Sequence, residues 1–159
     1  MAVVVPIVVF EVFRLEVVGV RQFVSALDLR LLTFAQTWRV LGFTFLVLYH
    51  RNLLPGVFAI PAGWGDIAIG ITAPIIALCW KPPYPYKSFV VWNVLGLLDL
   101  ATVVTLGILA SGSPVGLLAG HVTTRVMGMF PMSLIPTFFV PLFVIFHLIS
   151  LNRAGKGLP

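Results

Sequence analysis

The sequence predicts an all-α protein: a polytopic transmembrane helix bundle of about four spans, with a short outer surface helix and an N-terminal membrane-associated segment. Three observations predict it. The chain is 60% hydrophobic and 9% charged over 159 residues, with a mean hydropathy of +1.10, whereas a soluble domain carries roughly 25% charged residues. So few charges cannot cover a globular surface, so lipid must solvate most of this one. Four apolar runs each reach the length of about 20 residues, at 1.5 Å rise, that a bilayer crossing needs. Near the middle of three of those runs lies a charged side chain: Arg39, Asp66 and Asp99.

Residues 1–27 form the membrane-associated segment. Residues 1–13 are apolar, but no basic residue precedes them and no small-residue cleavage site follows, so they do not make a signal peptide. The stretch is too short for a full span, and Glu11, Arg14 and Glu16 crowd its end. It reads as an interfacial helix or as the tail of a longer first span that this chain lacks. The four-span core occupies residues 28–151. Its spans are expected over residues 31–49, 57–78, 89–110 and 130–151, and residues 152–159 form a cytoplasmic tail. No internal repeat is visible.

The links are rich in Pro, Gly and charge, as loops are. Arg51-Asn52-Leu53-Leu54-Pro55-Gly56 makes one tight turn, and a stiff Pro–Tyr stretch from Lys81 to Lys87 makes another. Trp80, Tyr84, Tyr86 and Trp92 suit the headgroup zone. Ser113 followed by Pro114 is a helix-start pair, so residues 111–129 are expected to form a short helix on the membrane surface. Pro61 and Pro74 interrupt the second span, and Pro131, Pro136 and Pro141 punctuate the fourth. The run Pro61-Ala62-Gly63-Trp64-Gly65-Asp66 has the character of a kinked or broken half-helix.

Loop charge sets the expected orientation. Arg21, Arg30, Lys81, Lys87, Arg153 and Lys156 fall on one side, and Arg51 and Arg125 on the other. The basic-rich side is expected to be cytoplasmic, with the C-terminus there. The formal net charge of +5 is scattered over these loops and forms no patch for nucleic acid. The single cysteine, Cys79, excludes an intrachain disulfide and a clustered-thiolate metal site.

Helical rise places Arg39, Asp66 and Asp99 roughly 12–15 Å into their spans, against a hydrocarbon core of about 30 Å. Charges at that depth cost several kcal/mol unless they pair or face water. Their neighbours form polar or small faces: Thr33, Gln36, Arg39 and Gly42 in the first span, Ala62, Asp66, Gly70 and Pro74 in the second, and Asn93, Gly96, Asp99 and Thr102 in the third. Small faces let helices approach closely, and the economical bundle turns these three inward. Three readings stay open. The cluster locks helix register, or it binds a proton or ion on the carboxylate that one Arg leaves unpaired, or a partner subunit supplies the compensating charge.

The histidines read as exposed or interfacial. His50 lies at the outer end of the first span and His147 near the inner end of the fourth, too far apart in depth for one haem. His50 with His121 is the remaining pair, and nothing in its spacing demands haem. No cofactor or metal is expected. No Gly-x-Ser-x-Gly, Walker, dinucleotide or His-Glu-x-x-His motif occurs, which leans against an enzyme.

Four stretches carry a family resemblance: QTWRVLG from Gln36, LLPGVFAIPAGWGD from Leu53, WNVLGLLDL from Trp92 and FPMSLIPTFFVPLFVIFHLISL from Phe130. Together they span most of residues 28–151 and resemble a family of small, uncharacterised bacterial multi-span membrane proteins. The resemblance implies residence in the bacterial inner membrane and additional N-terminal membrane sequence among members. It implies no activity, substrate or cofactor, and it keeps Arg39, Asp66 and Asp99 inside the matching blocks.

Two functions follow as expectations. One is a non-enzymatic structural or accessory subunit of a membrane assembly, partnered by lipid and by another membrane subunit or further copies of itself. The other is a small proton- or ion-coupled transporter using Asp66 or Asp99, with Arg39 as counter-ion. The topology has a direct test. In intact cells Cys79 should react with membrane-permeant thiol reagents and not with impermeant ones, and labelling by an impermeant reagent would invert the orientation.

Overall fold

The computed structural model describes residues 3–79 and 86–154. The Pro–Tyr turn with Trp80, Lys81 and Tyr84, and the tail with Lys156, lie outside the described residues. Within them the chain is helical and has no strand. Helix α1 covers Val4–Glu16 and α2 covers Val18–Ala26. Four longer helices follow: α3 Leu29–His50, α4 Gly56–Cys79, α5 Tyr86–Leu109 and α6 Ile135–Ala154. Among the described residues these four are long and apolar enough to cross a membrane.

Helix α3 begins where Asp28 accepts a hydrogen bond from the Arg30 backbone N–H at 2.8 Å, an N-cap that satisfies an orphan donor. It ends in a Schellman turn. Leu53 N–H bonds back to Leu48 O and Asn52 N–H to Tyr49 O, both at 2.9 Å, with Asn52 at φ 55°. This turn directs Leu54 into an apolar cluster with Phe45, Phe58 and Ala62. The middle of α3 is not α-helical. Gln36–Gly42 is a 3₁₀ segment, set between α-helical Leu29–Ala35 and Phe43–His50.

Helix α4 is the central element. It packs along the whole of α3 and against α5. Alanines and glycines on its buried surface permit this: Ala59, Ala62 and Ala73 are fully buried. No break occurs at Pro61–Asp66, and the helix runs unbroken through Pro61 and Pro74. Each proline removes only one i→i−4 donor, and tight packing on two sides holds the chain in register. Trp92 is buried rather than presented to a headgroup zone. Its indole N–H donates to Thr72 Oγ1 at 2.9 Å, which ties α5 to α4.

Helix α6 packs on α5 and on the first turns of α3, and α1 lies against α6 and α2. It opens with a π-helical turn, Ile135–Phe139, closed by the Val140 N–H on Ile135 O. Pro136 lies within that turn and Pro141 follows it, and neither has a backbone N–H to give to a regular ladder. Its span therefore starts later than residue 130 and extends to Ala154.

The expected surface helix is present only as one 3₁₀ turn, Thr124–Gly128. Residues 111–123 form turns instead, so Ser113–Pro114 starts no helix. Gly112, Gly116 and Gly120 each weaken a helix by about 1 kcal/mol relative to Ala. The segment gains tertiary bonds in compensation. Leu118 N–H reaches Leu109 O at 2.8 Å, and Thr124 Oγ1 donates to Gly107 O at 2.7 Å, folding it onto the end of α5.

The Schellman turn generates a prediction. At Asn52, Gly should be tolerated, whereas Asn52→Val should lose about 1–2 kcal/mol because a β-branched residue resists the left-handed region. Chemical unfolding in detergent measures this, and equal stability of the two variants would contradict the role assigned to the turn.

Candidate functional site

The 3₁₀ segment positions the site. In an α-helix each i→i+3 step turns about 300°, so a three-residue repeat drifts around the cylinder. In a 3₁₀ helix residues i and i+3 eclipse. Thr33, Gln36, Arg39 and Gly42 are all buried, and the helix tightens over the last three of them, which keeps Gln36, Arg39 and Gly42 on one face. The same spacing in α5 behaves differently. Asn93 and Gly96 are buried, Asp99 is partly buried, and Thr102 has rotated out to the surface.

The Arg39 side chain is 0% exposed, and the carboxylates of Asp66 and Asp99 are 13% and 16% exposed. Arg39 Nε donates to Asp66 Oδ1 at 2.7 Å. Its Nη2 donates to Asp99 Oδ2. Its Nη1 faces the Gly96 carbonyl at 3.4 Å and His147 Nε2 at 3.3 Å. One guanidinium from α3 thus engages α4, α5 and α6. Arg suits this task because its planar fork carries five donors and stays charged.

The hydrogen bonds assign the histidine tautomer. Arg39 only donates, so His147 Nε2 accepts. His147 Nδ1 then carries the proton and donates to Asn93 Oδ1 at 2.9 Å, while Asn93 Nδ2 donates to Phe89 O at 2.9 Å. His147 is neutral in this arrangement, and the cluster sets two carboxylates, Asp66 and Asp99, against one guanidinium.

Glycines create the room. A Cβ on Gly42 would collide with Asp66, one on Gly65 with Asp99, and one on Gly96 with His147. Gly70 brings α4 against the backbone of Arg39 and Val40. Each polar partner therefore sits in a notch on a facing helix. Gln36 is buried and donates to Phe143 O at 3.3 Å, which links α3 to α6 below the cluster. Ala62 belongs instead to the apolar cluster with Phe45 and Phe58. Among the described residues, no three His, Cys, Asp or Glu side chains are placed to hold a metal ion.

The structure brings together Arg39, Asp66 and Asp99, with Gly42, Gly70, Asn93 and Gly96 around them. Two members were not expected. Gly65 lies off the small face that carries Asp66, and a Cβ there would meet Asp99. Successive helical residues point about 100° apart, so Asp66 meets α3 while Gly65 meets α5. His147 was expected to be exposed or interfacial and is fully buried. The later start and longer run of α6 carry it inward. The signal was present in the sequence: Phe143, His147, Ser150 and Ala154 recur at helical spacing and all four are buried. His50 and His121 are exposed.

A family model described as a domain of unknown function, DUF8737, matches residues 1–154, and the chain belongs to that family. No curated protein matches the chain, and no solved structure does.

The notches predict a graded response to alanine. Gly65→Ala and Gly96→Ala should each lose about 1–3 kcal/mol of stability in detergent, the usual cost of overpacking. Gly19, whose added Cβ would meet nothing within 4 Å, should accept alanine with no loss or a gain of about 0.5–1 kcal/mol. Wild-type melting of Gly96→Ala would refute the close approach of His147.

Proposed function

We propose that this protein is an integral protein of the bacterial cytoplasmic membrane, with its C-terminus in the cytoplasm, and a non-enzymatic structural or accessory subunit of a membrane assembly. Its residues act as one membrane domain, with residues 28–151 crossing four times. In this reading the Arg39/Asp66/Asp99 cluster is a lock that fixes the register and rotation of the spans. One observation supports it above others: the fully buried Arg39 guanidinium is hydrogen-bonded to groups on α4, α5 and α6. In an apolar bundle, side-chain hydrogen bonds and close small-residue contacts supply the orientation that apolar packing alone leaves degenerate.

A second reading has its own support. The cluster holds two carboxylates for one guanidinium, and Asp66 also lines a cavity. A small proton- or ion-coupled transporter would use that surplus carboxylate, with Arg39 as counter-ion.

A mutant cycle tests the pairing on which the lock rests. Arg39→Ala leaves buried carboxylates unpaired and should lose about 3–5 kcal/mol of stability. Adding Asp66→Asn and Asp99→Asn should recover part of the loss. Strictly additive losses would sink the lock. Native mass spectrometry of the protein extracted from its own membrane should show a second polypeptide at fixed stoichiometry. A bare monomer together with proton-linked flux that Asp66→Asn or Asp99→Asn abolishes would favour the carrier.

A further inference from the structure

A cavity of about 290 Å³ lies between α3 and the start of α6, with Asp66 of α4 in its wall. We propose that it binds an organic cation, a small apolar molecule with a single positive charge, which enters from the lipid side. Three features carry this. The first is charge. Asp66 is one of two carboxylates that share the single Arg39 guanidinium, and it stands in the cavity wall beside Arg39. One guanidinium balances one carboxylate, and a bound monocation balances the other in place of a proton.

The second is the lining. Trp38, Phe45, Phe139 and Phe143 contribute aromatic surface, and ring faces attract cations most strongly where water is excluded. The third is access. Trp38, Leu41 and Leu134, all cavity-lining, are exposed on the flank of the helices. In the four-span topology that flank faces lipid, so the occupant partitions from the bilayer, which requires an apolar body. The volume is near the lower end for small-molecule pockets, about 300–1,000 Å³, and suits a compact ligand. Cation binding is compatible with the lock, because Asp66 keeps Oδ1 on Arg39 while its Oδ2 lies over Gly42 beside the cavity.

The test uses the full chain in detergent, titrated with benzyltrimethylammonium and with its neutral carbon isostere neopentylbenzene, by calorimetry and tryptophan fluorescence. The ammonium should bind saturably and at least about tenfold tighter than the isostere, the scale of one desolvated cation–aromatic contact. Asp66→Asn should remove most of that preference and leave isostere binding unchanged. Trp38→Ala, on the exposed wall and outside the ion pairs, should lower ammonium affinity more than isostere affinity, and it decides the matter if Asp66→Asn does not fold. Equal affinity for the two probes, or a cation preference untouched in every variant that folds, would overturn the proposal and leave the cavity as a seat for a lipid chain.

Discussion

A guanidinium with no exposure to solvent must find acceptors inside the protein, and most of the remaining structure can be understood from that requirement. Arg39 meets it with Asp66, Asp99, the Gly96 carbonyl and His147. These groups lie on three different helices, so satisfying one side chain sets the relative depth and rotation of α3, α4, α5 and α6 together. Apolar contacts alone are less demanding. Leu, Val and Phe pack against one another in many registers at similar energy, whereas a fork of fixed donors has few solutions.

Two local features serve this constraint. The 3₁₀ segment Gln36–Gly42 keeps Gln36, Arg39 and Gly42 on one face and so turns the polar stripe of α3 toward the helices packed around it, Gln36 to α6, Gly42 to α4 and Arg39 to both and to α5. Its hydrogen-bond geometry is poorer than that of an α-helix, and the close contact with Gly70 and the ion pairs offsets the difference. Glycines on facing helices do the rest. A side chain at any of Gly42, Gly65 or Gly96 would occupy the space now held by Asp66, Asp99 or His147. Backbone approach and charge pairing are therefore one design rather than two.

The cluster also separates distinct apolar regions. Phe45, Leu54, Phe58 and Val103 pack around one end of the α3–α4 pair, while Ile69, Ile76, Phe89 and Trp92 join α4 to α5 at the other. Between them the polar chain runs from Arg39 through His147 and Asn93 to the Phe89 carbonyl. Its donors and acceptors are matched in sequence, which permits burial of a histidine and an asparagine. Two carboxylates share the one guanidinium, and one of them, Asp66, lines the cavity.

The all-helical class, the four apolar spans and the three charged residues that meet were legible in the chain before it folded, because composition, run length and the cost of a mid-span charge are properties of local sequence. It also contained the small faces at Gly42, Gly70 and Gly96. Tertiary structure decided what depends on neighbours. It tightened Gln36–Gly42, carried α4 unbroken through its prolines, turned Trp92 inward onto Thr72 and drew His147 against Arg39. It also replaced an expected surface helix with turns docked on α5. Each of these follows from a partner on another helix. A repeat of three residues reads the same whether the helix is α or 3₁₀, and a histidine reads the same whether lipid or an arginine faces it. Only the packed bundle distinguishes them.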